Sequence, residues 1–131
     1  MREIIFRGKR FDDGKWEYGW LCEYPFGRWP LKCAIIPKED ANDGYHHFEQ
    51  IDPETVGEYT GLKDTNGNRI FEGDIVRGLE DSRSFEVRYD AGEFCFFLND
   101  TWYDRLDSYS ARSCIVLGNI YDNQEMTGGV E

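Results

Sequence analysis

Residues 55–76, with the sequence TVGEYTGLKDTNGNRIFEGDIV, carry the strongest structural signal in this chain of 131 residues. An Asn-Gly pair at Asn66 and Gly67 stands between the short runs 58–63 and 68–71. A pair so placed is typical of a tight turn in a β-hairpin, because glycine adopts positive φ without a steric penalty. The stretch therefore predicts an antiparallel hairpin centred on Gly67.

The remaining glycines and polar residues of the same stretch fit turn chemistry. Glycines spaced by six can provide the backbone angles of bulges and turns, and Asp and Asn side chains can bind turn amides. We expect Asp74, directly after Gly73, to cap a bend. The alternative, a ligand-binding loop, explains fewer of these residues. The predicted fold-specifying turn motif consists of Gly61, Asp64, Asn66, Gly67, Gly73 and Asp74.

Downstream of the motif, short alternating segments continue at period two, which is typical of half-buried antiparallel strands. Five or six strands without room for crossover helices predict a small SH3-like barrel over residues 55–123. At most one short helix is expected, within 100–110, because Trp102, Leu106 and Tyr109 follow helical spacing. The tail, residues 124–131, is expected to be flexible. Predicted strands here are 74–77, 85–89, 93–98 and 114–121.

Upstream, residues 1–54 form a predicted N-terminal β portion. An Asp13-Gly14 turn joins the alternating residues 16–22 to the run 4–11, so residues 3–23 are predicted to be a hairpin. Two further short strands are expected at 31–36 and 45–50, and Asp52 is expected to cap a turn that Pro53 begins. The predicted fold class is therefore all-β, with an N-terminal hairpin or sheet portion followed by the barrel.

The composition limits the possible partners. The chain has 26 acidic and 15 basic residues, a formal charge of −11 and a pI near 4.6, which disfavours attraction to nucleic-acid phosphates and anionic lipid. No apolar run is long enough for a membrane span. Without an export signal, the four cysteines are expected to be free thiols in a reducing cytoplasm.

Large aromatic residues cluster in the N-terminal portion. A small β chain has limited interior for so many rings, so some are expected at an interface. Three interpretations, in order of preference, are a core, a self-association surface and a stacking platform for single-stranded nucleic acid. The predicted interaction surface consists of Trp16, Tyr18, Trp20, Tyr24, Phe26 and Trp29.

Catalytic and metal-binding patterns are weak. His46 and His47 are neighbours, which point to opposite faces of a strand, so they are not expected to share a metal. Glu72 and Asp74 could share a strand face and bind Mg²⁺, but a solvated edge and a turn cap are preferred. The acidic side of the predicted helix is expected to be a solvated face formed by Asp100, Asp104 and Asp107. We predict no enzyme activity and no cofactor or metal site.

Three segments together resemble the YopX family of phages and prophages. They are residues 55–76, the closing VLGNIYDN at 116–123 and the opening MREIIFR at 1–7. The resemblance implies an all-β chain with an N-terminal β portion, a C-terminal SH3-like portion and a tendency to self-associate. It implies no catalytic or binding residue. The sequence at 8–11 departs from the family pattern, which leaves the detail of the first hairpin open.

These observations predict a non-enzymatic phage or prophage accessory protein in the cytoplasm of the bacterial host. It is expected to form a homo-oligomer and to bind a host or phage protein. One alternative is a nucleic-acid-binding module that uses the N-terminal aromatics. Another is a Mg²⁺-dependent phosphoesterase built on Glu72 and Asp74.

Overall fold

The computed structural model describes residues 3–23, 33–37 and 49–123, and these form eleven β-strands, one 3₁₀ turn and one short α-helix. The chain divides into two compact units, Met1–Tyr59 and Thr60–Glu131. All the strand pairs with a defined register are antiparallel. The predicted all-β class, with at most one short helix, is confirmed for these residues.

The N-terminal unit is built on the predicted hairpin. Strand β1 (Phe6–Lys9) pairs with β2 (Trp16–Glu23), with Arg7 opposite Tyr18 and Lys9 opposite Trp16. Gly14 has φ +73° in the connecting turn, as an Asp-Gly turn requires. The strands are β1 (Phe6–Lys9), β2 (Trp16–Glu23), β3 (Cys33–Pro37), β4 (Glu49–Gln50) and β5 (Gly57–Lys63), in the sheet order β4-β3-β2-β1-β5.

Side chains alternate between the two faces of this sheet. One face packs a core of Cys33, Ile35 and Ile51 against Phe6, Leu21 and Val56. The side chains of Trp16, Tyr18 and Trp20 alternate with Leu21 along β2 and therefore belong to the other face.

The turn that Asp52 and Pro53 were predicted to form is a 3₁₀ turn over Pro53–Thr55. Asp52 Oδ1 accepts the Glu54 backbone N–H at 3.1 Å. Thr55 Oγ1 accepts the backbone N–H of Lys9 at 2.8 Å, which fixes the turn to β1. Of the two other predicted strands, the described part of 31–36 lies in strand β3 (Cys33–Pro37), and the described part of 45–50 is strand β4 (Glu49–Gln50).

The C-terminal unit contains the end of β5, which pairs with β6, and a five-stranded sheet of order β10-β9-β8-β7-β11. Strands β7 to β10 form a meander, and β11 returns to pair with β7. Strands β10 and β11 are the two edges of this sheet. The SH3-like barrel therefore stays a prediction. The elements are β6 (Arg69–Phe71), β7 (Asp74–Gly78), β8 (Ser84–Asp90), β9 (Glu93–Leu98), β10 (Thr101–Arg105), α1 (Ser108–Ala111) and β11 (Cys114–Asn119).

The prediction of a helix within 100–110 is wrong for most of its length. Residues 101–105 form the edge strand β10, and the helix is the single turn α1. Asn99 and Asp100, which precede β10, have φ of 51° and 64°. Positive φ at both central residues is the geometry of a type I′ hairpin turn, which directs the chain back along β9. The three aspartates expected on one helix face consequently lie in a turn, a strand and a helix cap.

The C-terminal unit contains a cluster of buried hydrophobic residues. It contains Ile70, Val76, Phe85, Val87, Phe96, Leu106, Ala111 and Cys114. Among the described residues, no helix has the length and hydropathy to cross a membrane.

Candidate functional site

Asp64 is the centre of the turn motif. It is only 4% exposed. Its Oδ1 accepts the backbone N–H groups of Asn66 at 2.9 Å and Asn68 at 2.8 Å, and its Oδ2 accepts that of Val116 at 2.9 Å. Burial opposes the charged form, but the N–H donors of Val116, Asn68 and Asn66 outweigh it and lower the pKa of Asp64. The carboxylate is therefore a structural acceptor that is already saturated.

The hairpin turn has the predicted positive φ at Gly67, +84°. Its N–H donates to the Asp64 carbonyl at 3.0 Å, and the Asp64 N–H donates to the Asn68 carbonyl at 2.8 Å. Asn66 keeps a negative φ, so the connection is a type I turn followed by a left-handed glycine rather than a two-residue type I′ turn. Gly61 and Gly73 also have positive φ, 87° and 92°.

Asp74 is 2% exposed, and its Oδ2 accepts the backbone N–H of Phe71 at 2.8 Å. This bond closes the bend between β6 and β7 as expected. Glu72 lies in that bend and Asp74 in β7, so the two carboxylates do not share a strand face. A Mg²⁺ site on Glu72 and Asp74 would need both carboxylates on one strand face, and the two residues lack that arrangement.

The closing segment 116–123 begins in strand β11 and ends in a turn. Asn119 Oδ1 accepts the N–H groups of Tyr121 at 3.0 Å and Asp122 at 2.9 Å, while Asn123 Oδ1 accepts that of Asn119 at 3.2 Å. Gly118 has no room for a β-carbon, which would collide with the Asn123 amide. These polar side chains therefore bind the turn's own backbone.

The β2 aromatic face, defined here as Trp16, Tyr18 and Trp20, is the described part of the predicted interaction surface. Tyr18 is 45% and Trp20 47% exposed, and Trp16 is half-buried. The preferred interpretation as core is therefore wrong for Tyr18 and Trp20. The other members of the predicted surface, Tyr24, Phe26 and Trp29, lie outside the described residues.

Two cations accompany Trp16. The Arg7 guanidinium carbon lies 4.8 Å from its ring centroid and Lys9 Nζ 5.6 Å. Arg10, by contrast, belongs to the other face of β1 and forms ion pairs with four carboxylates: Asp12 at 3.3 Å, Asp13 and Glu17 at 3.4 Å and Glu49 at 3.2 Å. Arg7 and Lys9 thus lie against the Trp16 ring of the aromatic face.

The C-terminal unit contains a cleft that the sequence analysis did not predict. Its volume is about 300 Å³. Phe85 and Phe96 form its floor, with ring centroids 6.0 Å apart, and Tyr103 packs on Phe85 at 4.7 Å. We call it the aromatic cleft. Its lining consists of Val76, Gly78, Asp81, Phe85, Phe96, Tyr103, Asp104, Tyr109, Ser110, Ser113 and Cys114.

An ion pair between Arg83 and Asp81 lies at the cleft. Arg83 Nη2 donates to Asp81 Oδ2 at 2.7 Å and to the Tyr103 hydroxyl at 3.1 Å. The guanidinium carbon lies 5.1 Å from the Tyr103 ring centroid. Hydrogen bonds from Arg83 lower the pKa of Asp81 to about 2, so both groups are charged and paired at neutral pH.

A β-bulge shapes the other side of the cleft. Trp102 pairs with Phe97 and Asp104 with Phe96, so Tyr103 is an extra residue in β10. Bulges redirect side chains, and here the successive residues Tyr103 and Asp104 both line the cleft. Neither the bulge nor the cleft follows from the spacing of apolar residues.

Comparison with known proteins shows that residues 5–127 match the family model described as YopX protein. The chain belongs to the YopX family. Among solved structures, this YopX-family chain resembles the crystal structure of protein EF1440 from Enterococcus faecalis. The TM-score is 0.54 at 20% identity, over 95% of this chain and 98% of that chain. At this identity the likeness shows a shared fold. Comparison with curated proteins gives no match.

The reactive side chains of this YopX-family protein are dispersed. No group of three or more His, Cys, Asp or Glu that could hold a metal is present within 3–23, 33–37 and 49–123. The two histidines lie outside those ranges. The cysteines are free thiols, as predicted. Burial, with Asp64 and Asp74 nearby, raises the pKa of Cys114 to about 11.

Proposed function

We propose that this YopX-family chain is a non-enzymatic accessory protein of a phage or prophage that self-associates in the host cytoplasm and binds a host or phage protein. The supporting observation is the β2 aromatic face. Tyr18 and Trp20 occupy alternate positions of one strand and each exposes nearly half of its surface. Tyrosine and tryptophan in that state are typical anchors of protein interfaces, because they bury large area with few rotatable bonds.

The exposed aromatic rings of this face suit self-association. Tyrosine and tryptophan side chains combine a large apolar ring with one polar group, which suits them to the boundary between the apolar centre and the polar rim of an interface. A second copy supplies the same rings, and a two-fold interface places like surfaces against each other. The host or phage partner is proposed to use the same face, so that partner binding competes with self-association.

The experiment measures molar mass by light scattering after size exclusion, at micromolar and tenfold higher concentration. We expect a mass above 15.4 kDa that decreases in Trp20→Ser and Tyr18→Ser. Phe11→Ser is the matched control, because Phe11 is 62% exposed in the same unit but does not lie on β2. A monomer at all concentrations, or an equal effect of the control, would contradict the proposal.

Binding of single-stranded nucleic acid is the second candidate, and the cations against Trp16 favour it. A base could stack on an exposed ring while Lys9 contacts phosphate. The net charge of −11 and the acidic neighbours of Arg10 oppose it. Titration of single-stranded DNA at low salt, followed by tryptophan fluorescence, distinguishes the two. Absence of salt-sensitive quenching would eliminate this candidate.

The phosphoesterase alternative has less support, because Asp74 is buried and bound to the Phe71 N–H. A Mg²⁺ ligand needs a carboxylate oxygen that can reach the ion. Calorimetric titration with Mg²⁺ and Mn²⁺ tests it, and saturable heat that Glu72→Gln abolishes would revive the enzyme interpretation.

A further inference from the structure

We propose that the aromatic cleft of the C-terminal unit binds the arginine side chain of a basic protein segment. This site is separate from the β2 aromatic face, which belongs to the N-terminal unit. The proposal depends on three properties of the cleft: its size, its one unneutralised carboxylate and its aromatic walls.

The size suits a single side chain. A volume of about 300 Å³ is at the lower end of ligand pockets, which range from about 300 to 1,000 Å³. Phe85 and Phe96 offer an apolar floor for the methylene stem of an extended side chain. Long cationic side chains bury their stems in this way while their charged ends stay near water.

The charge of the cleft favours a cation. Asp81 is neutralised by Arg83, but Asp104 forms no ion pair within the described part of the chain. One of its oxygens accepts the neighbouring Arg105 N–H at 2.8 Å, and the exposed carboxylate keeps further acceptor capacity. The net charge of −11 also attracts basic segments over a longer range.

The aromatic walls favour arginine over lysine. Tyr103 already accepts one guanidinium, that of Arg83, at 5.1 Å from its ring centroid. Tyr109, at the mouth of the cleft, is 76% exposed. A planar guanidinium can stack on such a ring and at the same time donate two hydrogen bonds to a carboxylate, whereas an ammonium cannot form this planar pair.

The test titrates the full-length protein with the peptide Gly-Phe-Arg-Ser-Gly, whose ends are blocked so that arginine carries its only charge. A second titration uses the same peptide with citrulline in place of arginine. Citrulline keeps the shape and removes the charge. Amide chemical shifts of the labelled protein report both affinity and location. We expect the arginine peptide to shift resonances of Gly78, Asp104, Tyr109 and Ser110. The citrulline peptide is expected to bind at least about fivefold more weakly, and added salt to reduce the difference.

Three variants locate the contacts. Asp104→Asn is expected to weaken arginine-peptide binding about three- to fivefold, and Tyr109→Ser about two- to fivefold, the range for exposed ion pairs and cation–π contacts. Glu93→Gln removes an equal charge from an exposed residue outside the lining and is expected to leave binding unchanged. Because all three side chains are exposed, each variant is expected to fold, which its amide spectrum verifies.

Other outcomes overturn the proposal. Equal binding of the citrulline peptide would indicate an apolar occupant. Equal losses in Asp104→Asn and Glu93→Gln would indicate attraction to overall charge rather than to this cleft. Shifts confined to residues outside the cleft, or no shifts at millimolar peptide, would show that arginine does not bind there.

Discussion

Asp64 and Val116 are 52 positions apart in sequence, and the carboxylate of the first accepts the backbone N–H of the second at 2.9 Å. The bond joins the hairpin turn in residues 55–76 to strand β11 in residues 116–123, and both segments carry the resemblance to the YopX family. It is supported by the Thr65 N–H, which donates to the Cys114 carbonyl at 3.0 Å. Two hydrogen bonds thus hold residues 64–65 of the hairpin turn against strand β11.

Asp64→Asn is expected to destabilise the protein by about 3 kcal/mol. An amide has one acceptor oxygen and one donor nitrogen, so it cannot serve both the turn N–H groups and Val116, and a buried N–H loses its partner. Denaturant unfolding followed by fluorescence measures the change. Asp90→Asn, an exposed carboxylate on β8, is the control and should change stability by less than about 0.5 kcal/mol. Equal effects of the two variants would refute the structural role of Asp64.

The same carboxylate predicts a pH dependence. The pKa of Asp64 is lower in the folded protein than its ordinary 3.8, so the unfolded chain binds the proton more readily. The contribution of Asp64 to stability is therefore complete above pH 3.8 and is lost as the pH falls through the lower folded-state pKa. We expect the free energy of unfolding to fall less steeply below about pH 4 in Asp64→Asn than in the wild type. Parallel curves would contradict this assignment.

The sequence predicted these turns better than it predicted the elements near the C-terminus. Asp-Gly and Asn-Gly turns are local, and their φ preferences act without help from distant residues. The bond from Asp64 to Val116 is non-local and has no sequence signal. In residues 100–110, the helical spacing of Trp102 and Leu106 was overridden by pairing with β9, because each edge residue gains a ladder partner there.

The aromatic cleft was missed for a related reason. Its lining comes from β7, β8, β9, β10, α1 and β11 and the connections between them, so no window of the sequence contains it. The β2 aromatic face, by contrast, lies on one strand, and the clustering of large rings in that stretch of sequence points to its exposed members Tyr18 and Trp20. Their exposure could not be predicted, because alternation separates two faces without showing which one is covered.

Gly67→Val is expected to destabilise the protein by about 1 to 3 kcal/mol through backbone strain alone. Gly67 has φ +84° and an added β-carbon would meet no atom within 4 Å, so the cost is conformational, since a β-branched residue resists positive φ. Thermal unfolding measures it. Partner affinity of the folded fraction should be unchanged. An intact melting temperature with lost partner binding would instead make the turn a recognition loop.

Gly19→Ala tests a steric effect at a different kind of glycine. Gly19 lies in β2 without a positive φ, but its β-carbon would collide with the backbone carbonyl of Ile36. Backbone cannot give way as a side chain can, so β2 and β3 must separate locally. We expect a loss of about 1 to 3 kcal/mol in unfolding free energy, with faster amide exchange at Leu21 and Ile35. Protection equal to wild type there would show that the strands accommodate the methyl group.

Thiol labelling should follow burial. Cys95 and Cys114 are 0% and 3% exposed, and burial is the main cause that raises the pKa of each. Because the thiolate is the reactive form, both should resist a thiol reagent at pH 8, whereas the partly exposed Cys22 should react first. Mass spectrometry of digested protein identifies the labelled sites. In guanidinium chloride all four cysteines should react, and rapid native labelling of Cys114 would contradict the burial argument.

The closure of the C-terminal unit by Val116 also sets an order of events during synthesis. The N-terminal unit ends at Tyr59, so all of its residues are synthesised before Asp64. Asp64 emerges soon afterwards, but the Val116 N–H of strand β11, which also donates to it, is translated more than 50 residues later. At about 5 to 20 residues per second, the nascent chain spends several seconds with this carboxylate still exposed to water. A ribosome that stalls before Val116 thus holds a chain that contains the whole N-terminal unit but lacks the Val116 N–H that donates to Asp64.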